Sequence, residues 1–241
     1  MFTCLARNSG KTILHANTID PDTSTMTLRL YMHPLASYCW KTLIALYEAD
    51  IPFDREIVDL QNPEVRAEFL KLNPLGKFPV LVDEAAGKAF PESSIIIEYL
   101  ASKYPSAAKL IPADRELALR VRLSDRFYDG YVHEKMQKIV ADRLRPQNQK
   151  DPTGVEQARF DLETALALVD RDMENGGWAT GMTFTMADCA AAPALFYANE
   201  VAPFGDKHPG CSRYLERLAA RPCFMRVLAE AEPYFKMFPR S

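Results

Sequence analysis

The chain has 241 residues, a formal net charge of −3 and 48% hydrophobic residues. A small negative charge gives no broad basic field for nucleic acid or anionic lipid. No apolar run approaches the ~20 residues that a membrane-spanning helix needs. The composition is that of a globular protein with one large or two small domains, and it excludes nucleic acid and a membrane as partners.

The first 25 residues contain no apolar block of signal-peptide length and no cleavage site of small residues. We interpret residues 1–25 as an extension or tag that precedes a natural start at Met26, where the periodic pattern begins. The five cysteines are odd in number and have neither metal-binding nor C-x-x-C spacing. They fit reduced thiols, so we expect a cytoplasmic protein without a metal site.

Short strand and helix patterns alternate in the first part of the chain, in the order β-α-β-α-β-β-α. The predicted strands are residues 27–33, 52–60, 77–83 and 88–90, and the predicted helices are residues 37–50, 62–73 and 92–104. Pro34 ends the first strand, which places Ser37 at or beside the N-terminus of the first helix. These elements together have the size of one small domain.

The pattern changes after a proline-bearing connection, residues 105–116. Helical spacing then dominates, and the predicted helical stretches are residues 117–144, 155–173, 186–197 and 211–231. The sequence therefore predicts an α+β fold in two parts, a domain of residues 26–106 followed by an all-α domain of residues 115–241.

The stretch LNPLGKFPVL, residues 72–81, places Pro79 at the start of a run that otherwise reads as a central strand. Proline cannot donate a hydrogen bond to a sheet, so a cis bond after Phe78 would explain its position by turning the Phe78 backbone towards a ligand. Glu92 and Ser93 then open a helix, which gathers backbone donors, a hydroxyl and a carboxylate in one place. Such a site suits a zwitterion.

The order of elements, with NPLGKFPVL, then ESSIIIEYL, then an all-helical half, resembles the cytosolic glutathione transferases, bacterial type, over most of the chain. The stretch TFTMADCAAAP, residues 183–193, looks like the buried capping box of that family. Thr185 would be the N-cap, Asp188 its partner and Phe184 the staple residue. The resemblance implies a thioredoxin-like first domain, which binds glutathione.

The resemblance also implies roles for the residues of that domain. The Phe78 backbone before Pro79 would pair with the cysteinyl part of glutathione, Glu92 and Ser93 would hold its γ-glutamyl end, and Lys77 would lie near a carboxylate. A solvated surface lysine is an equally good interpretation of Lys77. The family function is conjugation of the co-substrate glutathione to a small hydrophobic electrophile, in detoxification, by a homodimer.

Ser37 is our candidate for the donor that stabilises the glutathione thiolate, because it combines a hydroxyl with a helix N-terminus. Serine-type members usually carry this hydroxyl one position earlier, where this chain has Ala36, while a cysteine-type bacterial class matches the position of Ser37. Tyr38 also has a phenol, but family tyrosines sit earlier, so Tyr31 is the reserve candidate. Cys39 has helical spacing to the core and reads as a packed residue.

The electrophile site is expected against the first long helix of the helical half. The side chains that could line it are Tyr128, Tyr131, Met136 and Arg143, although such residues at helical spacing are more often core. His133 fits a surface residue as well as a base. Arg122, Asp125 and Arg126 form a charged cluster that fits an ordinary solvated or interdomain face.

Two other functions are compatible with these residues. One is a non-catalytic glutathione-binding protein, which Ala36 favours. The other is a different glutathione-dependent reaction on the same fold, such as isomerisation, peroxide reduction, dehalogenation or ether cleavage, because fold does not decide among these reactions.

Overall fold

A four-stranded mixed sheet organises the first half of the protein in the computed structural model, which describes residues 27–239. The predicted extension, residues 1–25, lies outside the described residues. The strands are β1 (Leu28–Met32), β2 (Asp54–Ile57), β3 (Val80–Asp83) and β4 (Lys88–Pro91), and the helices are α1 (Ser37–Glu48), α2 (Pro63–Leu72) and α3 (Ser93–Lys103). The predicted order of elements is confirmed.

The strands lie in the order β2-β1-β3-β4. β1 is parallel to β2 and antiparallel to β3, and β4 is antiparallel to β3. The two central strands carry buried residues such as Leu30 and Leu81, whereas every residue of β2, at the edge, is exposed. α1 and α3 pack against each other, and a small apolar cluster of Val58, Phe69 and Val80 joins α2 to the sheet.

The second half is helical. Its elements are α4 (Arg115–Phe127), a π-helical turn (Tyr128–His133), α5 (Glu134–Arg143), α6 (Pro152–Asp172), α7 (Met186–Val201), α8 (Pro209–Ala219) and α9 (Pro222–Ala231). A 3₁₀ turn, Glu232–Met237, follows α9. The α+β fold class is confirmed. Within residues 27–239, none of the helices is long and apolar enough to cross a membrane.

Two parts of the helical half differ from the sequence pattern. The stretch predicted as helical over residues 211–231 is two helices, because Pro222 lacks a backbone donor and begins a new helix instead of continuing α8. The long first stretch is interrupted by the π-helical turn, which shifts the residues that follow it around the helix axis.

The two halves share one apolar core. The Trp40 ring of α1 is fully buried, with its centroid 5.2 Å from that of Phe196, 4.9 Å from that of Tyr197 and 6.1 Å from that of Phe224. α1 therefore packs directly against α7 and α9 of the helical half. The division of the chain into residues 26–106 and 115–241 stays a prediction.

The capping box predicted at the start of α7 is present. Asp188 is fully buried, and its Oδ2 accepts the backbone N–H of Thr185 at 2.8 Å. Its Oδ1 accepts the backbone N–H of Ala179 at 2.8 Å and the hydroxyl of Tyr214 at 2.6 Å. One carboxylate thus connects the start of α7, the loop before it and α8.

We expect Asp188→Ala to lower the free energy of unfolding by about 3 kcal/mol or more, because the donors of Thr185 and Tyr214, which are buried, and of Ala179, which is partly buried, lose their acceptor. Thr185→Ala should cost about 1–2 kcal/mol, the usual effect of losing an N-cap. Urea unfolding followed by circular dichroism measures both. The control is Asp172→Ala, whose side chain is 62% exposed and should change stability by less than about 0.5 kcal/mol. Equal losses in the two buried variants would contradict the assignment.

Candidate functional site

A cleft of about 580 Å³ lies between the sheet half and the helical half. All six residues predicted to form the site line it, namely Ser37, Lys77, Phe78, Pro79, Glu92 and Ser93. The helical half contributes His133 and Met136, and the C-terminal residues Phe238 and Pro239 border the opposite side. Residues far apart in sequence thus form one cavity of a size that fits a small organic ligand.

Two helices begin at this cleft without a side-chain cap. Ala36 is the N-cap of α1 and Glu92 that of α3, and the side chain of neither accepts a hydrogen bond from its own helix. Asn62 at α2 and Asp114 at α4 do accept such bonds. The N-termini of α1 and α3 therefore direct backbone donors and partial positive charge at the cleft, which favours an anionic ligand.

The backbone of Glu92 has φ of 73°, in the left-handed region. A left-handed backbone at a residue other than glycine usually costs about 1–3 kcal/mol of stability, and such residues cluster at functional sites. Glu92 is exposed at the edge of the cleft, while Ser93, the first residue of α3, is buried beside it. A carboxylate and a hydroxyl thus flank the N-terminus of α3.

The loop before β3 forms another wall of the cleft. The peptide bond between Phe78 and Pro79 is cis, as predicted. β3 begins only at Val80, so the Phe78 backbone lies outside the sheet. The buried Asn73 amide donates to the Lys77 carbonyl at 2.8 Å and holds this loop, whereas the Lys77 side chain itself is exposed.

Ser37 is the first residue of α1, and its side chain is buried. The loop in front of it is held from both sides. The indole of Trp40 donates to the Pro34 carbonyl at 2.6 Å, and the hydroxyl of Tyr197 on α7 donates to the Leu35 carbonyl at 2.8 Å. These bonds fix where α1 begins, and hence where Ser37 lies.

The Ser37 hydroxyl is hydrogen-bonded to Nε2 of His133, the last residue of the π-helical turn. His133 is only 3% exposed, so the interpretation of this residue as a surface histidine is wrong. Burial and the nearby charge of Lys41 lower its pKa to about 4, which makes the imidazole neutral at pH 7. The ring edge meets the Tyr38 ring at a centroid distance of 4.3 Å.

Lys41, one turn after Ser37 on α1, is fully buried. Its Nζ lies 2.7 Å from Oδ1 of Asp125 and 2.6 Å from Oδ2 of Asp129, and it donates to the Ser94 hydroxyl at 2.8 Å. Ser94 in turn donates to Asp125 at 2.8 Å. This lysine cluster joins α1 and α3 to α4 and the π-helical turn.

The three residues of the charged cluster on α4, Arg122, Asp125 and Arg126, have different environments in the structure. Asp125 is completely buried against Lys41, so it does not lie on a solvated face. The Arg126 side chain is 61% exposed, and Arg122 forms an ion pair with Glu98 of α3 at 2.5 Å. The interdomain interpretation therefore holds for Asp125 and Arg122.

The alternative donors occupy different positions. Tyr31 packs its ring against Phe69, at 6.3 Å between centroids, in the cluster under α2. Cys39 is fully buried, and burial raises the pKa of its thiol to about 12. Tyr38 lines the cleft, and burial raises the pKa of its phenol, which stays protonated. Among these three residues, Tyr38 is the one placed to compete with Ser37.

Of the four residues expected to line the electrophile site, only Met136 lines the cleft. Tyr128 is buried in the core. Tyr131 is 60% exposed and borders a separate surface groove. Arg143 donates to the Pro239 carbonyl at 3.0 Å and so holds the C-terminal segment against the cleft.

Sequence reasoning missed His133 as a partner of Ser37 and Lys41 as the centre of a buried cluster. The sequence does contain a signal for Lys41, because it is a lysine among apolar residues on one helix. It contains no comparable signal for the contact between His133 and Ser37, since these residues are 96 positions apart. Among residues 27–239, no group of three or more His, Cys, Asp or Glu side chains is arranged to hold a metal ion.

Comparison with known proteins identifies the relatives of this chain. It matches the sequence model of the glutathione S-transferase N-terminal domain over residues 30–108, and that of the glutathione S-transferase C-terminal domain over residues 131–222. Glutathione S-transferase 3 of Zea mays is 31% identical over 84% of this chain and 93% of its own length. Glutathione S-transferase hmp2 of Hypomyces subiculosus is 28% identical over 86% of this chain and its own whole length.

A glutathione S-transferase from Methylobacillus flagellatus, crystallised with glutathione bound, has a TM-score of 0.76 at 28% identity, covering 83% of this chain and 98% of its own. Relatives with other names also match. A probable maleylacetoacetate isomerase of Caenorhabditis elegans is 26% identical over 85% of this chain and 94% of its own length. FtsZ-localized protein A of Caulobacter vibrioides is 30% identical over 85% of this chain and 92% of its own length.

We expect Lys41→Met to lower the free energy of unfolding by about 3–5 kcal/mol at pH 7, because the buried carboxylate of Asp125 and the partly buried one of Asp129 lose their counter-charge. Burial already raises the pKa of Asp129, and without Lys41 that pKa should rise further. A carboxyl with a raised folded-state pKa binds its proton more tightly in the folded protein. The destabilisation therefore develops as pH rises from the ordinary carboxyl pKa of the unfolded chain to this raised pKa, is complete above it, and shrinks as pH falls below it.

Urea unfolding at several pH values measures this difference. The matched control is Arg126→Met, which removes a cation 3.6 Å from Asp125 and 3.8 Å from Asp129 that is largely exposed. It should cost less than about 1 kcal/mol. Equal costs for the two variants, or a Lys41→Met loss that does not change with pH, would show that the buried ion cluster has been misread.

Proposed function

Because the chain belongs to the glutathione S-transferase family, we propose that it binds glutathione in the cleft and transfers it to a small hydrophobic electrophile. The observation that carries this proposal is the meeting of two uncapped helix N-termini, a left-handed Glu92 and the Ser37 hydroxyl at one cavity. Glutathione has an ammonium, two carboxylates and a thiol, and each has a partner there.

The γ-glutamyl end fits the start of α3. Its carboxylate accepts hydrogen bonds from the Ser93 hydroxyl and from the first backbone N–H groups of the helix, where the dipole favours an anion. Its ammonium pairs with Glu92 at the edge. The backbone of Phe78, outside the sheet, pairs with the cysteinyl part, and the exposed Lys77 lies within reach of the remaining carboxylate.

The thiol end fits the start of α1. A thiol with a pKa near ~8.5 is only a few per cent ionised at neutral pH, and each unit of lowering requires ~1.4 kcal/mol of preferential stabilisation of the thiolate. The Ser37 hydroxyl donates a charge-assisted hydrogen bond to the sulfur, and the uncapped N-terminus of α1 adds its dipole. Ser37 therefore stabilises an anion and does not attack the substrate.

The electrophile fits the apolar side of the cleft. Met136, Val140, Tyr197 and Phe238 border it, and the Phe238 and Tyr197 rings lie 5.3 Å apart between centroids. In a substitution, the thiolate sulfur forms a bond to an electrophilic carbon and the leaving group departs with its electron pair. Holding both substrates in one cavity supplies most of the remaining acceleration through proximity.

A non-catalytic binding protein is the second candidate. The observation that favours it is the hydrogen bond between the Ser37 hydroxyl and His133, which would compete with a bond from Ser37 to sulfur if Nε2 accepted the Ser37 proton. One relative is named FtsZ-localized protein A and another a probable maleylacetoacetate isomerase, so not every relative is named for conjugation.

Four further parts of our proposal rest on the family and the sequence pattern. They are cytoplasmic localisation, a homodimer, a detoxification role and the domain division at residues 106–115.

The ultraviolet absorbance of the thiolate of bound glutathione, followed with pH, tests the role of Ser37. We expect the bound thiol pKa to lie at least about one unit below its free value, and Ser37→Ala to restore it, with a tenfold or larger loss of kcat/KM below that pKa. Tyr38→Phe is the control at the adjacent position and should retain the lowered pKa.

Binding without any pKa shift would favour the non-catalytic protein. A shift that survives Ser37→Ala but is lost in Tyr38→Phe or Tyr31→Phe would assign the donor to a tyrosine. Assays with an aromatic halide, a hydroperoxide and a cis-alkene substrate separate conjugation from peroxide reduction and isomerisation. Activity with hydroperoxide alone would replace conjugation as the proposed reaction.

We expect Glu92→Gln to raise the Kd for glutathione about tenfold, because the γ-glutamyl ammonium loses its ionic partner. Isothermal titration calorimetry measures this change. A glutathione analogue without that ammonium should bind wild type and Glu92→Gln equally weakly. Glu116→Gln, at an exposed position paired with Arg120, is the control. A Glu92→Gln variant with unchanged affinity would place the ammonium elsewhere.

A further inference from the structure

His133 is the side chain that the helical half places on the Ser37 hydroxyl. Its Nε2 forms the hydrogen bond, and its Nδ1 is buried without a hydrogen-bond partner among the described residues. A neutral imidazole carries its one proton on either Nδ1 or Nε2. These two tautomers have opposite consequences for Ser37.

In the first arrangement the proton is on Nδ1. This leaves a buried N–H donor without an acceptor, and Nε2 must then accept the Ser37 proton, which turns that proton away from the cleft. In the second arrangement the proton is on Nε2, which donates to Ser37 Oγ. The group without a partner is then an acceptor, a less costly state for a buried atom. The Ser37 proton is also free to point at a ligand.

We propose that His133 is a positioning residue whose Nε2–H donates to Ser37 Oγ and thereby directs the Ser37 hydroxyl proton at the thiolate of glutathione. The inference rests on the proposed function of Ser37 and adds a residue from the other half of the protein. The chain of bonds runs from Nε2–H to Oγ–H to sulfur, and each bond polarises the next.

The surroundings of the ring favour this role over that of a general base. Asp129, one turn before His133 along the helical segment, is held by Lys41 at 2.6 Å, so no carboxylate within residues 27–239 orients Nδ1 as in a catalytic triad. The groups that face the ring from α1 are the Lys41 ammonium and the Tyr38 phenol. From α7 they are the apolar side chains of Ala190, Pro193 and Ala194.

These groups keep the imidazole neutral. Burial and the positive charge of Lys41 lower the pKa of His133 to about 4, so the ring cannot hold a second proton at pH 7. A neutral ring with a single N–H is a fixed donor, and it neither removes the Ser37 proton nor adds charge beside the thiolate. Its position depends on the π-helical turn, which brings both Asp129 and His133 towards α1.

The test compares His133→Gln with His133→Asn. Both carry the same amide, but only the glutamine N–H reaches the position of Nε2. In wild type and His133→Gln the bound glutathione thiol should have the same lowered pKa, within about 0.3 units, whereas His133→Asn should raise it by about one unit. S-methylglutathione, which has no ionisable thiol, should bind all three proteins with Kd values within twofold.

Two further measurements separate this inference from the proposed function. In the Ser37→Ala background, His133→Asn should cause no additional shift in thiol pKa, because His133 acts through Ser37. In the protein without glutathione, ¹⁵N nuclear magnetic resonance of the imidazole should show His133 neutral, protonated on Nε2, and sensitive to Ser37→Ala.

A proton on Nδ1, equal thiol pKa values in the glutamine and asparagine variants, or an undiminished effect of His133→Asn on Ser37→Ala would each overturn the positioning role. Failure of wild type to bind S-methylglutathione would overturn the proposed function instead. In that case the ¹⁵N measurement still decides which nitrogen of His133 faces Ser37.

Discussion

The buried ammonium of Lys41 is the constraint on which the geometry of the site depends. It lies on α1, in the sheet half, but its two carboxylate partners come from α4 and the π-helical turn. A buried cation without these partners would be strongly destabilising, so α1 can dock on the helical half in only one register. Ser37 lies one turn earlier on the same helix, and this register sets its hydroxyl against His133.

Several groups at the cleft lack the protein partners that would be expected if the structure were optimised for stability alone. α2 and α4 are capped by the side chains of Asn62 and Asp114, but α1 and α3 have no side-chain cap where they begin at the cavity. Glu92 keeps a left-handed backbone there. Each feature costs stability in the empty protein and becomes favourable when an anion or ammonium occupies the cavity. Their coincidence is the strongest physical argument that the cleft binds a charged ligand.

The sequence predicted the fold well because the signals that define it are local. Alternating residues in β1, the helical spacing of α1 and the capping box at Asp188 all act within a few positions. Ser37 at a helix start and Pro79 before a strand are local signals too. The break at Pro222 was also readable, since proline begins a helix far more easily than it continues one.

The contact between Ser37 and His133 could not be predicted in the same way. It depends on the docking of two halves and on a π-helical turn, which offsets the residues after it by an extra position and leaves no trace in a 3.6-residue pattern. The burial of Lys41 is an intermediate case. A lysine on an apolar helix face indicates a buried partner, but which carboxylates approach it is a property of the assembled fold.

The position of the Ser37 hydroxyl in α1 bears on the role that we propose for His133. The resemblance leaves two alignments open, because serine-type members usually carry the hydroxyl where this chain has Ala36, the N-cap of α1, and a cysteine-type bacterial class has its active residue at the position of Ser37. Ser37 is the first residue of α1 and not its N-cap, so its hydroxyl is not at the position from which an N-cap side chain bonds the first N–H groups of its own helix. His133 supplies a hydrogen-bond partner from the helical half, so the serine and the buried histidine are two parts of a single arrangement.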